Sequence, residues 1–291
     1  MKTNKQKSLA EIHLAVLLFG LAGLFGKWVT LSPFIIVLGR VFFASITLAL
    51  LIWLSKQSLR IPQGKNSVSL IFLGFILSVH WVAFFQSIQL STVAVGLLSF
   101  STYPVFTTFL EPFFFKERII KVHILFSLFC FAGVFLIIPR FDLSNSTFVG
   151  VLWGILSGLI FAVLTILNRK LTLQFPSMLI AFYQDLFATL FLIPFFFVIQ
   201  PSLNINNLFL LVILGVICTA GSHTLFIKGM KQIKAQTASM VHFLEPVYGI
   251  IFAFFFLREV PALRTILGGT IILVGQVFII LSIIKERKKD V

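Results

Sequence analysis

Apolar runs of about 20 residues recur along nearly the whole sequence, and short polar stretches separate them. A helix needs about 20 mostly apolar residues to cross a bilayer, so each run is long enough to span it. The runs lack the period-two alternation of a lipid-facing β-barrel. The sequence therefore predicts an all-α membrane protein with ten transmembrane helices. The predicted spans are residues 12–30, 34–54, 67–87, 92–112, 119–139, 148–168, 177–199, 207–227, 236–257 and 262–284.

The composition favours the same class. Hydrophobic residues make up 59% of the 291 residues and charged residues only 11%, whereas soluble proteins have about 45–50% and about 25%. So few charges cannot cover a soluble globule with this much apolar surface. The sequence has only two cysteines, Cys130 and Cys218, which excludes a disulfide scaffold and a Cys-rich metal site.

The net charge of +14 comes from Lys and Arg residues in short runs between the spans. This distribution does not indicate a nucleic-acid partner. With the N-terminus inside, most of the 23 basic residues fall on the cytoplasmic side, as the positive-inside rule requires. Both termini are therefore predicted to be cytoplasmic, and residues 286–291 form a basic tail.

The chain contains an internal repeat. A shift of 142 residues carries Pro104 onto Pro246 and Glu117 onto Glu259. Each half then holds five spans, and because five is an odd number, the second half enters the membrane from the opposite side. Such inverted repeats are typical of secondary transporters, whose binding site lies near the bilayer midplane between the halves.

Each half has Pro-Val and then Glu late in its fourth helix, and in this respect the chain resembles the EamA family of the drug/metabolite transporter superfamily. The matching residues are Pro104-Val105 with Glu117, and Glu245-Pro246-Val247 with Glu259. The resemblance covers nearly the whole chain. It implies two EamA-like five-helix repeats, 9–139 and 148–285, and a carrier in the inner (plasma) membrane, often an exporter of amino acids or related metabolites. Family members differ widely in substrate, so these motifs mark the fold more than the cargo.

Glu245 lies near the middle of the ninth predicted span. An ionisable residue inside the membrane is a functional candidate, because burying it is costly. Burial at that depth favours the protonated, neutral form of a carboxyl group, which suits both substrate binding and proton carrying. Pro246 also leaves the carbonyl of His242 without its helical donor, so a bend is predicted here. The structural alternative is that Glu245 only holds this bend.

His242 is three residues before Glu245, so the two side chains share a helix face. His223 is predicted at a comparable depth in the eighth span. Together with Asp185 in the seventh span, these residues are the candidates for proton coupling. The alternative is that each histidine is simply an interhelical hydrogen-bond partner.

Arg40 and Asp185 come from equivalent helices, the second and the seventh, at depths that allow an ion pair. Such a pair would be structural. The alternative for Arg40 is to bind a substrate carboxylate through two parallel hydrogen bonds.

Four further residues complete the substrate-binding candidates. Tyr103 precedes Pro104 near mid-depth and occupies the repeat position of Glu245. His80 and Trp81 are adjacent in the third span, where either lining a cavity or packing would explain them. Trp153, early in the sixth span, is either a cavity residue or an interfacial anchor.

Two structural roles are also predicted. Glu117 and Glu259 each follow a basic residue at a helix end, where capping a neighbouring helix is the expected role. Gly150, Gly154 and Gly158 form a stripe on the sixth span, and Gly20, Gly23 and Gly26 crowd the first span. Small residues of this kind allow helices to approach closely.

The functional hypothesis is a secondary transporter that exports amino acids or related amphipathic compounds by alternating access, with proton coupling. The alternatives are an uptake permease for a metabolite and a drug or lipid exporter. The sequence has no Walker loop, no nucleophile elbow and no metal-spaced cluster, so neither an enzyme, a cofactor nor a metal is predicted. The expected partners are a small-molecule substrate and the lipid bilayer, and a homodimer stays open.

Overall fold

The computed structural model describes residues 2–59, 65–115 and 121–289. These residues form helices joined by turns and short connections and contain no strand, so the predicted all-α class is confirmed. The α-helices are α1 Lys2–Trp28, α2 Pro33–Leu54, α3 Lys65–Leu90, α4 Val93–Phe100, α5 Tyr103–Phe115, α6 Lys121–Ile137, α7 Ser146–Leu171, α8 Ser177–Ile199, α9 Ile205–Gly215, α10 Ser222–Gly229, α11 Ala235–His242, α12 Leu244–Phe252 and α13 Leu263–Lys289. Two π-helical segments, Val216–Gly221 and Ala253–Leu257, follow α9 and α12.

Seven helical stretches in the described residues are long and apolar enough to cross a membrane. Three shorter apolar stretches fall on the predicted fifth, ninth and tenth spans: Ser127–Ile137, Leu244–Leu257 and Leu263–Gly275. Apolar helix therefore occurs on all ten predicted spans. The seven long stretches are Lys5–Trp28, Pro33–Leu54, Ser67–Leu90, Val93–Phe115, Ser146–Leu171, Ser177–Ile199 and Ile205–Gly229.

The fourth and ninth spans are broken helices, and the breaks fall at equivalent places in the two halves. Helix α4 ends at Phe100, and α11 ends at His242, which is its counterpart after the shift of 142 residues. Pro104 and Pro246 follow these ends and have no backbone N–H to give to the carbonyl four residues earlier. The bend predicted at Pro246 is thus confirmed as a break in the helix.

Helices from the two halves pack closely against each other. Helix α2 packs against α8, α6 against α13, α3 against α7, and α1 against both α10 and α12. Glycines allow the closest approaches: a Cβ at Gly20 would lie 3.0 Å from the carbonyl oxygen of Glu245, and one at Gly158 would lie 2.9 Å from that of Phe100. The close packing predicted for the first and sixth spans is confirmed.

Glu259 caps the amino end of α4 from the other half of the chain. Its two carboxylate oxygens accept hydrogen bonds from the backbone N–H groups of Val93 and Ala94, each at 3.1 Å. These N–H groups have no partner within their own helix. The capping role predicted for Glu259 is confirmed, whereas Glu117 lies outside the described residues.

Candidate functional site

Eight of the nine predicted site residues are buried in the interior of the bundle, each at most 5% exposed. We call these eight residues the central cluster: Arg40, His80, Trp81, Tyr103, Asp185, His223, His242 and Glu245. The ninth, Trp153, is half-buried on α7 and makes no ring contact with the cluster in the described part of the chain. Its substrate-binding role stays a prediction.

His242 links the two broken helices. Its Nδ1 lies 2.9 Å from the hydroxyl oxygen of Tyr103, and its Nε2 contacts the carboxylate of Glu245. Each imidazole nitrogen of His242 therefore faces one of these two polar groups. Because Tyr103 begins α5 and His242 ends α11, the three side chains form a polar chain that joins the two breaks.

Four phenylalanine rings surround His242, with their centroids 5.1 to 5.7 Å from the imidazole centroid. We call them the aromatic cage: Phe19, Phe100, Phe161 and Phe226. They come from α1, α4, α7 and α10, so both halves contribute. Aromatic edges and faces pack well against apolar or planar groups, and the faces also attract cations. The cage therefore gives the polar chain an aromatic, apolar surrounding.

Two contacts fix the orientation of Arg40. Its Nε donates to the hydroxyl of Thr219 at 3.0 Å, and its guanidinium carbon lies 3.5 Å from the centroid of the Trp81 ring. Thr219 lies in the first π-helical segment, and its own hydroxyl donates to the carbonyl of Leu214 at 2.7 Å. Single π-turns inside helices often occur at functional sites. Here the irregular segment positions the hydroxyl that holds Arg40.

The direct ion pair expected between Arg40 and Asp185 is not found. Among the described residues, neither the terminal nitrogens of Arg40 nor the carboxylate of Asp185 has a hydrogen-bond partner. The carboxylate lies 3.8 Å from Nδ1 of His223 instead. Thr219 and Trp81 hold the guanidinium group instead.

His80 is bound mainly to α7. Its Nδ1 lies 2.9 Å from the hydroxyl oxygen of Ser157, and that hydroxyl donates to the backbone carbonyl of His80 at 3.1 Å. Its ring also lies 4.7 Å from that of Phe161 and 4.6 Å from that of Trp81. These contacts join α3 to α7 and favour a structural contribution from His80, while its role in substrate binding stays a prediction.

Sequence reasoning missed several residues that the structure brings into or near the site. Thr219 and Ser157 gave no signal, because polar hydroxyl residues are common in the spans. Glu111 gave a signal that was overlooked, since it is an acidic residue inside the predicted fourth span. It is buried and pairs with Arg169, whose guanidinium carbon lies 4.1 Å from the ring centroid of Phe115.

Comparison with known proteins decides the family. The model described as the EamA-like transporter family matches residues 8–138 and 148–281. The chain belongs to this family. With its apolar helices, the EamA-family chain is a multi-pass protein of the plasma membrane. Family membership also points to a transporter and not to an enzyme. Among the described residues, no three His, Cys, Asp or Glu side chains gather in a way that could hold a metal ion.

Relatives of this EamA-family chain carry transporter names. It is 26% identical to the uncharacterized transporter YxxF of Bacillus subtilis (strain 168), over 99% of this chain and 93% of that protein. It is 28% identical to the S-adenosylmethionine uptake transporter of Rickettsia bellii (strain RML369-C), over 90% of this chain and 88% of that protein. One solved crystal structure, 17% identical, matches with a TM-score of 0.71 over 93% of this chain and 95% of its own, which shows the same fold.

Proposed function

We propose that this EamA-family protein is a secondary transporter that moves small amphipathic metabolites by alternating access. In this proposal the repeats 9–139 and 148–285 are inverted, both termini lie in the cytoplasm, and the halves rock about the central cluster. The observation that carries the proposal is the contact between Tyr103 and His242 at 2.9 Å, which joins the two broken helices at the middle of the bundle. Broken helices with free backbone groups are where secondary transporters bind substrate.

Helix packing supports the inverted repeat. Under the shift of 142 residues, α2 corresponds to α8 and α6 corresponds to α13, and each of these pairs is in contact. The packing of α1 against α10 likewise corresponds to that of α7 against α3. A two-fold axis between the halves would produce this pattern. A helix next to such an axis contacts its own counterpart in the other half, as α2 contacts α8 and α6 contacts α13.

The contents of the site support an amphipathic cargo. Arg40, Asp185 and Glu245 provide buried basic and acidic groups, and the aromatic cage provides an apolar surface around His242. Amino acids or related compounds combine these two properties, and we propose their export. Uptake is the second candidate, because a Rickettsia relative is named as an S-adenosylmethionine uptake transporter, and this compound is itself an amino acid with a planar aromatic base.

Proton coupling is part of the proposal. The candidates form two pairs, His242 with Glu245 and His223 with Asp185. An imidazole beside a carboxylate can pass a proton between two groups near neutral pH. Because one pair lies at the broken helix α11–α12 and the other between α8 and α10, proton binding in either pair would act on elements from the second half.

The test is flux into liposomes that contain the purified full chain. A labelled panel of L-amino acids and S-adenosylmethionine is presented with and without an imposed pH gradient, and liposomes without protein serve as the control. Saturable uptake of a few compounds is expected, and its response to the gradient reports coupling. Folded protein that moves no compound of the panel under either condition contradicts the proposal.

A further inference from the structure

A small polar cavity opens between the first turns of α1 and the end of α10, away from the central cluster. Its volume is about 160 Å³, whereas a single water molecule needs only about 10–15 Å³ of such space. A group of the size of a phosphate therefore fits. We call this cavity the lysine pocket, and its lining residues are Lys7, Ser8, Glu11, Lys228, Lys231 and Gln232.

The floor of the lysine pocket is a close contact between the two halves of the chain. A Cβ at Gly229, the last residue of α10, would lie 2.9 Å from the carbonyl oxygen of Ser8 in α1. Ser8 is only 6% exposed. Because glycine lets the two helix backbones approach this closely, side chains from α1 and from the end of α10 are brought around one cavity.

Two of the three lysines carry charges that the described residues do not neutralise. Nζ of Lys228 lies 2.7 Å from the carboxylate of Glu11, so these two groups form an ion pair. The ammonium groups of Lys7 and Lys231 have no hydrogen bond or ion pair within residues 2–59, 65–115 and 121–289. A lysine ammonium group binds phosphate as a compact point charge. The excess positive charge of the pocket therefore suits an anion.

The lysine pocket borders the membrane-facing surface of the bundle. Leu14 lies seven residues after Lys7 and three after Glu11, so the three residues share one face of α1. Leu14 is 50% exposed, and it belongs to the stretch Lys5–Trp28, which is long and apolar enough to cross a membrane. An exposed leucine in such a stretch faces acyl chains. A basic pocket and an apolar surface thus follow each other along one helix face, in the order of headgroup and acyl chain in a phospholipid.

We propose that the lysine pocket binds the headgroup phosphate of an anionic phospholipid. Lys7 and Lys231 pair with the phosphate, while the acyl chains lie along Leu14. Ser8 and Gln232 provide neutral hydrogen-bond donors in the same cavity. Because the phosphate contacts α1 and the end of α10 together, the bound lipid stabilises the contact between the two halves.

The arrangement favours a lipid over a free phosphate ion. Lysines at a membrane surface attract anionic lipids, and the exposed side chain of Leu14 gives the acyl chains a contact that a soluble anion does not use. The proposal goes beyond the proposed transport function and depends only on the membrane location of the chain. A binding experiment can therefore test it in the absence of any flux.

Native mass spectrometry of the purified full chain is that experiment. Phosphatidylglycerol and phosphatidylcholine with identical acyl chains are titrated separately, and the fraction of protein with one bound lipid gives each affinity. Both lipids contain a phosphate, but the choline cation of phosphatidylcholine compensates its charge. Each lysine near an anionic lipid strengthens binding by about 5-fold. We therefore expect the wild type to prefer phosphatidylglycerol by roughly 10- to 30-fold.

A double variant locates the preference. Lys7→Gln with Lys231→Gln removes both unpaired charges, so the preference for phosphatidylglycerol is expected to fall to about 3-fold or less. Lys56→Gln with Lys170→Gln is the matched control, because it removes the same charge from two exposed lysines, one just after α2 and one in the last turn of α7. The control is expected to keep the wild-type preference. Size-exclusion profiles confirm that each variant is folded.

Glu11→Gln is expected to change the preference in the opposite direction. The variant breaks the ion pair with Lys228 and so adds a third unpaired ammonium group to the pocket. The preference for phosphatidylglycerol is expected to rise by roughly 5-fold. A purely structural role of these side chains would not produce this gain.

Four outcomes would overturn the site: equal binding of both lipids by the wild type, a wild-type preference in the lysine double variant, an equal loss in the control variant, or no gain in Glu11→Gln. Soluble glycerol phosphate is the remaining probe. If it displaces phosphatidylglycerol at an equal concentration, the pocket binds a free anion and the lipid is not its occupant. Displacement that requires a large excess of glycerol phosphate supports the lipid.

Discussion

The hydroxyl oxygen of Tyr103 lies 2.9 Å from Nδ1 of His242, although the two residues are 139 positions apart in the chain. Each residue stands at the break of its helix, and the two breaks are equivalent under the shift of 142 residues. The contact therefore connects the helix breaks of the two halves. If one half rocks against the other, this contact must either break or move with both helices. It is therefore central to the proposed mechanism.

Replacing Tyr103 with Phe tests this contact. The change removes the hydroxyl that bonds His242 and keeps the ring that stacks on Phe100, whose centroid is 5.4 Å away. Loss of one buried hydrogen bond costs about 1 kcal/mol, so we expect transport to fall roughly 5- to 10-fold. Initial rates of flux measure this. Tyr248→Phe, on α12 and outside the central cluster, serves as the control, and equal losses in both variants would contradict the assignment.

Glu245→Gln tests proton coupling. Glutamine keeps the size and a hydrogen-bonding group next to His242 but cannot take up or release a proton. We expect flux that stays saturable and no longer responds to an imposed pH gradient. The measurement is the ratio of initial rates with and without the gradient. If the variant keeps the wild-type ratio at every gradient, Glu245 does not carry the coupled proton.

Glu259→Ala tests the cap that joins the halves. The variant leaves the N–H groups of Val93 and Ala94 without their acceptors, and caps of this kind are worth about 0.5–2 kcal/mol. We expect a melting temperature lower by a few degrees in detergent, measured by thermal unfolding. Arg140→Ala is the matched control, because its ion pair with Asp142 is exposed, and such pairs contribute about 0–1 kcal/mol. Equal effects would show that the cap does not stabilise the bundle.

Gly154→Val tests the glycine stripe of α7. A Cβ at Gly154 would lie 2.9 Å from the hydroxyl oxygen of Ser87 and would also overlap Ser99, so overpacking is expected to cost about 1–3 kcal/mol or more. The yield of monodisperse protein and its melting temperature should both fall. Gly221→Ala is the control, since the nearest atom to its Cβ is the carbonyl oxygen of Val216 at 3.8 Å. Wild-type behaviour of Gly154→Val would contradict the close packing.

The burial of eight candidate site residues could be predicted from the sequence, but their partners could not. Intramembrane charges and histidines are rare, so the cost of burial singled out Glu245, Asp185 and Arg40 directly. That Arg40 is held by Thr219 was not predictable, because the π-helical segment that aims this hydroxyl leaves no mark in composition or periodicity. Trp153 was chosen for its residue type alone, and the structure leaves it outside the central cluster.

The sequence by itself determined the class of the protein and the positions of its apolar helices, and Pro246 predicted one helix break. These are local properties: about 20 apolar residues suffice for a span, and a proline removes a donor wherever it lies. The structure decided which faces of the helices meet. A helix that is apolar on all sides carries no amphipathic signal for its inward face. The contact of Arg40 with Thr219, 179 positions away, therefore arises only when the whole bundle packs.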